Sequence, residues 1–114
     1  SLHLAIVRDG AIAERHVLMP RSETEHAGHA RFHVMPNGDV YALLYVAGPT
    51  PRNELLPIYP KVDPANRVPV PFKTPFGGFL LANTRSGNAP SKTIDLIGPN
   101  GKPNAMGYGQ IVIE

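Results

Sequence analysis

The sequence contains no cysteine and no tryptophan, and only 18% of its residues are charged. Without cysteine, neither a disulfide framework nor a thiolate site is possible. The absence of cysteine does not determine the cellular compartment, because many secreted β-proteins also lack disulfides. The apolar runs are far shorter than the ~20 residues of a membrane span, so we expect no membrane segment. No stretch shows sustained helical periodicity. These absences argue against a disulfide-stapled, a membrane-spanning and a helical protein.

Charge of either sign is dispersed rather than clustered. The formal net charge is +2, and the Lys and Arg residues form no basic run and no RNA-binding aromatic motif. Nucleic-acid binding normally requires such a basic patch or stripe, so we expect no nucleic-acid partner. A weakly basic surface suits an acidic glycan equally well.

Proline and glycine are abundant, with 13 and 11 residues in a chain of 114. Together they exceed a fifth of the chain, which predicts frequent turns and few helices. The length suits one small domain with a core and is too short for two. We therefore predict a single all-β unit over residues 1–114.

Two pairs of turn residues predict β-hairpins. Asp9-Gly10 separates apolar runs over residues 2–7 and 11–18, and Asn37-Gly38 separates runs over 30–35 and 40–46. Asp-Gly and Asn-Gly tolerate the positive φ angles of a two-residue hairpin turn, so we place each pair in such a turn. Further runs typical of strands cover 54–59, 68–72, 79–83, 93–97 and 108–113.

The strand after His29 carries the densest reactive chemistry. Period-2 alternation predicts two faces, one with His29, Arg31 and His33, the other with Ala30, Phe32 and Val34. We expect Phe32 and Val34 to be buried. Arg31 and His33 are interpreted either as hydrogen-bonded groups between packed sheets or as parts of a site, since buried polar side chains are normally satisfied.

Neither a metal nor a cofactor is predicted. His26, His29 and His33 have a spacing that superficially suggests a metal site, but strand residues alternate between faces and the set cannot converge as it would on a helix. Arg85, in the polar loop over 84–92, supplies a planar guanidinium that matches a carboxylate or sulfate. It is equally interpreted as a structural residue that bonds loop carbonyls.

Two stretches carry a resemblance to a known family. HARFHVMPNGDVYALLYVAG at 29–48 and PFGGFLLANTRSGNAPSKTIDLIG at 75–98 each resemble the opening of a blade in the divergent BNR-repeat β-propellers, which include sialidase-like proteins and ulvan-type lyases. The resemblance implies antiparallel four-stranded sheets: residues 1–19 would end one blade, 29–73 would form a complete blade, and 75–114 would form most of another. The Asp-box of sialidases is absent. The alternative fold is a small β-sandwich.

The resemblance also bears on assembly. About nine strands make little more than two blades, whereas a closed propeller needs at least four. Further blades would come from a longer parent chain or from copies in a homo-oligomer, and the way the chain starts and ends within strands favours a fragment.

The resemblance implies that the chain binds an acidic polysaccharide or serves as a scaffold that holds one. The alternatives are a polysaccharide lyase and an autonomous, oligomerising β-sandwich. In the lyase, His29 and Tyr45 would be the catalytic residues, while Arg31, His33 and Arg85 would bind the substrate. A secreted or periplasmic location is favoured by the resemblance alone.

Overall fold

The computed structural model describes residues 1–80, 89–101 and 105–114. These residues form β-strands and one short 3-10 turn, Pro64–Asn66, with no α-helix among them. The strands are β1 (Leu2–Arg8), β2 (Ala11–Met19), β3 (His26–Val34), β4 (Val40–Ala47), β5 (Arg52–Tyr59), β6 (Val68–Val70), β7 (Thr93–Pro99) and β8 (Met106–Val112). The all-β class is therefore confirmed.

Three antiparallel sheets contain these strands. β1 pairs with β2, β3 to β6 form a four-stranded sheet in chain order, and β7 pairs with β8. Sequential antiparallel pairing needs only short connections, which the abundant Gly and Pro residues supply. The four-stranded sheet extends from His26 to Val70, whereas the resemblance implied one complete four-stranded sheet over 29–73.

The four-stranded sheet is the middle of three layers. Leu43 and Leu44 are consecutive in β4, so their side chains point to opposite faces, and both are buried. Leu44 packs in a cluster with Leu4 and Leu18 of the first hairpin, whereas Leu43 packs with residues of β7 and β8 such as Ile94. A strand that is buried on both faces has a continuous apolar sequence, and residues 42–46 form such a run.

The first predicted turn is confirmed. Arg8 pairs with Ala11, which leaves Asp9 and Gly10 as the two residues of the turn. Their φ angles are 52° and 78°, as a type I′ turn requires at both central positions. Asp9 is the one non-glycine residue with a positive φ among the described residues.

The second predicted turn is wrong in length. The Met35 N–H donates to Asp39 O at 2.7 Å, and the Gly38 N–H donates to Met35 O at 2.9 Å, so the loop has three residues. Within this loop, only Gly38 has a positive φ, 93°. Pro36 explains the difference because its ring fixes φ near −65°, which suits the second position of a type I turn followed by a left-handed glycine.

The predicted burial of Phe32 and Val34 is also wrong. Their side chains are 53% and 43% exposed. β3 lies at the edge of its sheet, and of its residues on this face Ala30 is the one packed against the apolar cluster beneath the first hairpin. Alternation was correct, but it identifies which residues share a face and not how far the neighbouring layer extends over that face.

The predicted strand over 79–83 is only partly covered by the described residues, because 81–88 lie outside them. The chain before it runs antiparallel to β7: Phe76 bridges Asn100, the Gly77 N–H donates to Pro99 O at 3.0 Å, and the Leu80 N–H donates to Ile97 O at 2.8 Å. These bonds are too irregular for a strand. They nevertheless add a third, edge segment to the β7–β8 layer.

Candidate functional site

His29 and Tyr45, the predicted catalytic residues, lie side by side. They are partners in the register between β3 and β4, so their side chains emerge from the same face, towards the β7–β8 layer. A bulge at Gly28 precedes His29. A Cβ atom at Gly28 would lie 3.0 Å from the Tyr45 ring, so glycine lets that ring lie against the bulge.

The backbone of Gly77 and Gly78 lies directly beside this pair. A Cβ atom at Gly77 would be 3.9 Å from the Tyr45 ring, and one at Gly78 would be 3.8 Å from His29 Nε2. The His29 ring also meets the buried Phe79 ring edge-on, with centroids 5.5 Å apart and planes at 85°. One side of the exposed imidazole is therefore held against the protein while the other side faces solvent.

Next to Tyr45 the surface forms an open groove of about 420 Å³. We call it the Tyr45 groove, and its lining is Tyr45, Pro51, Thr74, Pro75, Gly77, Pro99 and Gly101. His29 lies at its border, since Gly78 approaches both His29 and Pro99. The lining is mainly ring and backbone, with the Thr74 hydroxyl and the Tyr45 phenol as its side-chain hydrogen-bonding groups.

Arg31 does not line this groove. It lines a second cavity of about 260 Å³ between the first hairpin and β3, together with residues that include Leu4, Leu18 and Phe32. Its Nη1 donates to the carbonyl of Ala30 at 3.2 Å, and the side chain is otherwise exposed. The structure therefore brings together His29 and Tyr45 but directs Arg31 away from them.

His33 is buried, with 3% of its surface exposed. Its Nε2 lies 2.5 Å from the carbonyl oxygen of Ser91, and a carbonyl can only accept, so Nε2 carries the proton. Nδ1 is buried and has no partner among the described residues. The ring therefore ties β3 to the segment that leads into β7, which agrees with the interpretation of His33 as a hydrogen-bonded group between sheets. Arg85, the remaining predicted site residue, lies outside the described residues.

A cluster of four charged side chains was not predicted. Arg52 bonds Glu25 at 2.5 Å and Glu54 at 3.0 Å, and Arg67 lies 3.5 Å from the second oxygen of Glu54. The hydrogen bond to Glu25, and then that to Glu54, raises the pKa of Arg52, while the bond from Arg52 lowers the pKa of Glu25. Glu54 is buried, so the two guanidinium groups compensate a charge that has left water. The only sequence signal was Arg52 and Glu54 on one strand face.

Asn53 makes the other contact that the sequence did not reveal. Its side-chain amide accepts from the Phe76 N–H at 2.8 Å and donates to the Phe76 carbonyl at 2.9 Å. It also donates to Leu44 O at 3.3 Å, and the residue is buried. The amide thus takes the place of a strand partner for Phe76, just before the Gly77-Gly78 backbone, and it holds that backbone against Tyr45.

The described residues contain no group of three or more His, Asp or Glu side chains able to hold a metal ion. They also contain no helix long and apolar enough to cross a membrane. Comparison of the chain with protein-family models, curated proteins and solved structures found no match. Fold and site therefore define a class, an all-β protein of three stacked antiparallel sheets with a groove beside a histidine–tyrosine pair.

Proposed function

We propose that this chain binds an acidic glycan in the Tyr45 groove. The observation that carries the proposal is the pairing of exposed His29 with Tyr45 at the border of a groove walled by proline rings and glycine backbone. An imidazole and a phenol can each donate to or accept from sugar hydroxyl and carboxylate oxygens. The flat proline and tyrosine rings offer an apolar surface for the C–H face of a sugar ring.

Arg31 extends this proposal along β3. Residues two apart on a strand are about 6–7 Å apart, so the exposed, flexible Arg31 side chain would leave its contact with the Ala30 carbonyl and turn towards His29 to meet an oligosaccharide longer than the groove. A guanidinium there would pair with a uronate carboxylate in two parallel bonds. Neutral sugars would gain nothing from it.

We further propose that the fold is a segment of a β-propeller. The layer order supports this, since one four-stranded sheet lies between two smaller antiparallel sheets and packs against both through apolar strand faces. The rival fold, a self-contained β-sandwich, would normally have two packed layers rather than three.

Calorimetric titration with an oligouronate and with a neutral oligosaccharide of equal length tests the binding proposal. We expect the oligouronate to bind, and His29→Ala and Tyr45→Phe each to weaken it by about tenfold, the loss of one good hydrogen bond. Arg31→Ala should weaken only the oligouronate. His16→Ala, in the first hairpin, and Tyr59→Phe, at the end of β5 farther from the groove residue Pro51, are the matched controls. Equal affinity for the two sugars, or unchanged affinity in His29→Ala, would refute it.

A polysaccharide lyase is the second candidate, favoured by the cross-strand neighbourhood of His29 and Tyr45. One of the two would take the proton from the carbon next to the carboxylate, and the other would protonate the leaving glycosidic oxygen as the C–O bond breaks and a C=C bond forms. The unsaturated product absorbs ultraviolet light. His29→Ala should lower its formation by ~10²–10⁴. Binding of the oligouronate without any rise in absorbance would support glycan binding and refute lyase activity.

A further inference from the structure

Among the described residues, none packs against the outer face of either outer layer. On the first hairpin, alternation and register place one set of residues on the side away from the four-stranded sheet: His3, Ala5, Val7, Ile12, Arg15 and Val17. All are exposed, and Val7 is 62% exposed. We call this the β1–β2 outer face. Apart from Arg15 and His3 it is apolar, which is unusual for a strand face in contact with water.

The opposite end of the stack has a comparable surface. On β7 and β8 the side away from the four-stranded sheet carries Asp95, Ile97, Met106, Tyr108, Gln110 and Val112. All six are exposed, and Tyr108 is 64% exposed. We call this the β7–β8 outer face. Its centre is Asp95, which accepts from Gln110 Nε2 at 2.8 Å and from the Tyr108 hydroxyl at 2.9 Å.

The two outer faces are alike in apolar character and opposite in charge. Arg15 lies in the middle of one, opposite Ala5, and Asp95 lies in the middle of the other, opposite Gln110. The hydrogen bonds from Gln110 and Tyr108 lower the pKa of Asp95, so the carboxylate is charged at neutral pH. A cation on one largely apolar face and an anion on the other make the two faces complementary.

We propose that the β7–β8 outer face of one copy of this chain stacks on the β1–β2 outer face of a second copy, with Asp95 opposite Arg15. The same type of contact, one apolar strand face against another, already joins the three layers within the chain. Head-to-tail contact pairs unlike charges, whereas either face against itself would oppose two arginines or two aspartates. The proposal is independent of glycan binding.

The size of the faces predicts weak association. Seven strand residues span about 23 Å, and two strands about 10 Å, so each face is smaller than the ~800 Å² per partner of a stable interface. Sedimentation velocity between roughly 10 μM and 1 mM covers the matching range of dissociation constants. We expect the mean mass to rise through that range, because head-to-tail contacts add further copies unless a ring closes.

Charge reversal identifies the faces. Arg15→Asp and Asp95→Arg should each reduce association at least tenfold, because each variant opposes like charges when it meets itself. An equimolar mixture of the two variants should associate again, as should the double variant, because both restore one Arg–Asp pair per contact. Association of a face with an identical face would instead oppose like charges in the natural chain, in both single variants and in the double variant, so association that changes only in the mixture would overturn the proposal.

Lys61→Asp and Glu23→Arg change net charge by the same amounts on exposed loop residues and should leave association unchanged. Far-ultraviolet circular dichroism and a thermal melt of each variant separate lost contact from lost folding. A single mass at all concentrations, an effect of the control variants equal to that of Arg15→Asp, or no recovery in the mixture would each overturn the proposal.

Discussion

The two faces of the four-stranded sheet hold their neighbouring layers by different means. Towards β7–β8, the buried side chains of Asn53 and His33 bond directly to backbone groups of Phe76 and Ser91. Towards β1–β2, apolar packing around Leu44 attaches the hairpin, and the charged groups at that face, buried Glu54 and its two arginines, bond to one another.

The difference follows from the chain that has to be anchored. The segments around Phe76 and Ser91 are not regular strands, so their peptide groups need partners from outside the ladder, and buried backbone groups are rarely left unpaired. β1 and β2 satisfy each other's peptide groups through their own pairing and need only apolar contact to stay in place. Irregular backbone therefore requires specific side chains beneath it, and a regular hairpin does not.

Truncation of the two central leucines should have the largest effect and should separate the two faces. Leu43→Ala and Leu44→Ala each remove a fully buried side chain and should each destabilise by about 2–5 kcal/mol. Because the leucines point to opposite layers, Leu43→Ala should lower amide hydrogen-exchange protection mainly in β7 and β8, and Leu44→Ala mainly in β1 and β2.

Leu80→Ala is the control, since Leu80 is 73% exposed and should lose little stability. The same exchange pattern in Leu43→Ala and Leu44→Ala would show that the layers unfold as one unit, and the comparison between the faces would then have no energetic meaning.

Asn53→Leu should have the next largest effect. Leucine is similar in size, but it leaves the N–H and C=O of Phe76 buried without their amide partner, at about 1–3 kcal/mol for each group. We expect a loss of about 2–4 kcal/mol in urea unfolding. Asn66→Leu replaces an exposed asparagine and serves as the control. A loss in Asn53→Leu no greater than in this control would mean that water replaces the amide, and the anchoring role would be wrong.

Glu54→Gln tests the charges on the other face. Glutamine keeps the shape of the side chain but removes the negative charge between Arg52 and Arg67, so we expect a loss of about 1–3 kcal/mol. The charges of this cluster bond to one another and not to the β1–β2 layer. Hydrogen exchange in β1 and β2 should therefore change less in Glu54→Gln than in Leu44→Ala, and an equal change would contradict the assignment.

The same cluster predicts that the stability of the folded state depends on pH in the acid range. The bond from Arg52 lowers the pKa of Glu25, so this carboxylate stabilises the folded state at pH values above the ordinary glutamate pKa. That contribution is lost as the pH falls from the ordinary glutamate pKa, about 4.3, through the lowered pKa of Glu25. Urea midpoints measured from pH 7 down to pH 2 should fall less steeply below about pH 4.3 in Glu25→Gln than in the natural chain. Glu23→Gln, on an exposed neighbour, should leave the slope unchanged.

The regular parts of this fold could be predicted from the sequence because they depend on neighbouring residues. Asp9-Gly10 fixed a turn, and period-2 alternation separated the faces of β3. Pro36 changed the second turn because its ring constrains φ before the Asn-Gly pair can act. Asn53 could not be predicted as an anchor, since its partner Phe76 is 23 residues away and an isolated asparagine in a strand has no distinctive pattern.

In the candidate site, too, the features that depend on neighbouring residues could be predicted and the others could not. His29 and Tyr45 were selected for their chemistry, and their pairing depends on the register across one hairpin. Arg31 was grouped with His29 by alternation, but the long side chain at a sheet edge lines another cavity. Alternation fixes the direction of Cβ and leaves the head of a flexible side chain free.

His33 and His29 provide the smallest and most specific test, because they lie four residues apart on the same face of β3. His33→Leu removes a bond to Ser91 from a buried position and should cost about 1–2 kcal/mol. His29→Leu removes an exposed ring with one edge-on contact to Phe79 and should cost less than about 1 kcal/mol. Oligouronate titration should give the opposite order, with affinity lowered in His29→Leu and unchanged in His33→Leu below the melting temperature. Equal losses of stability, or of affinity, in the two variants would show that burial does not divide these histidines into an anchor and a binding residue.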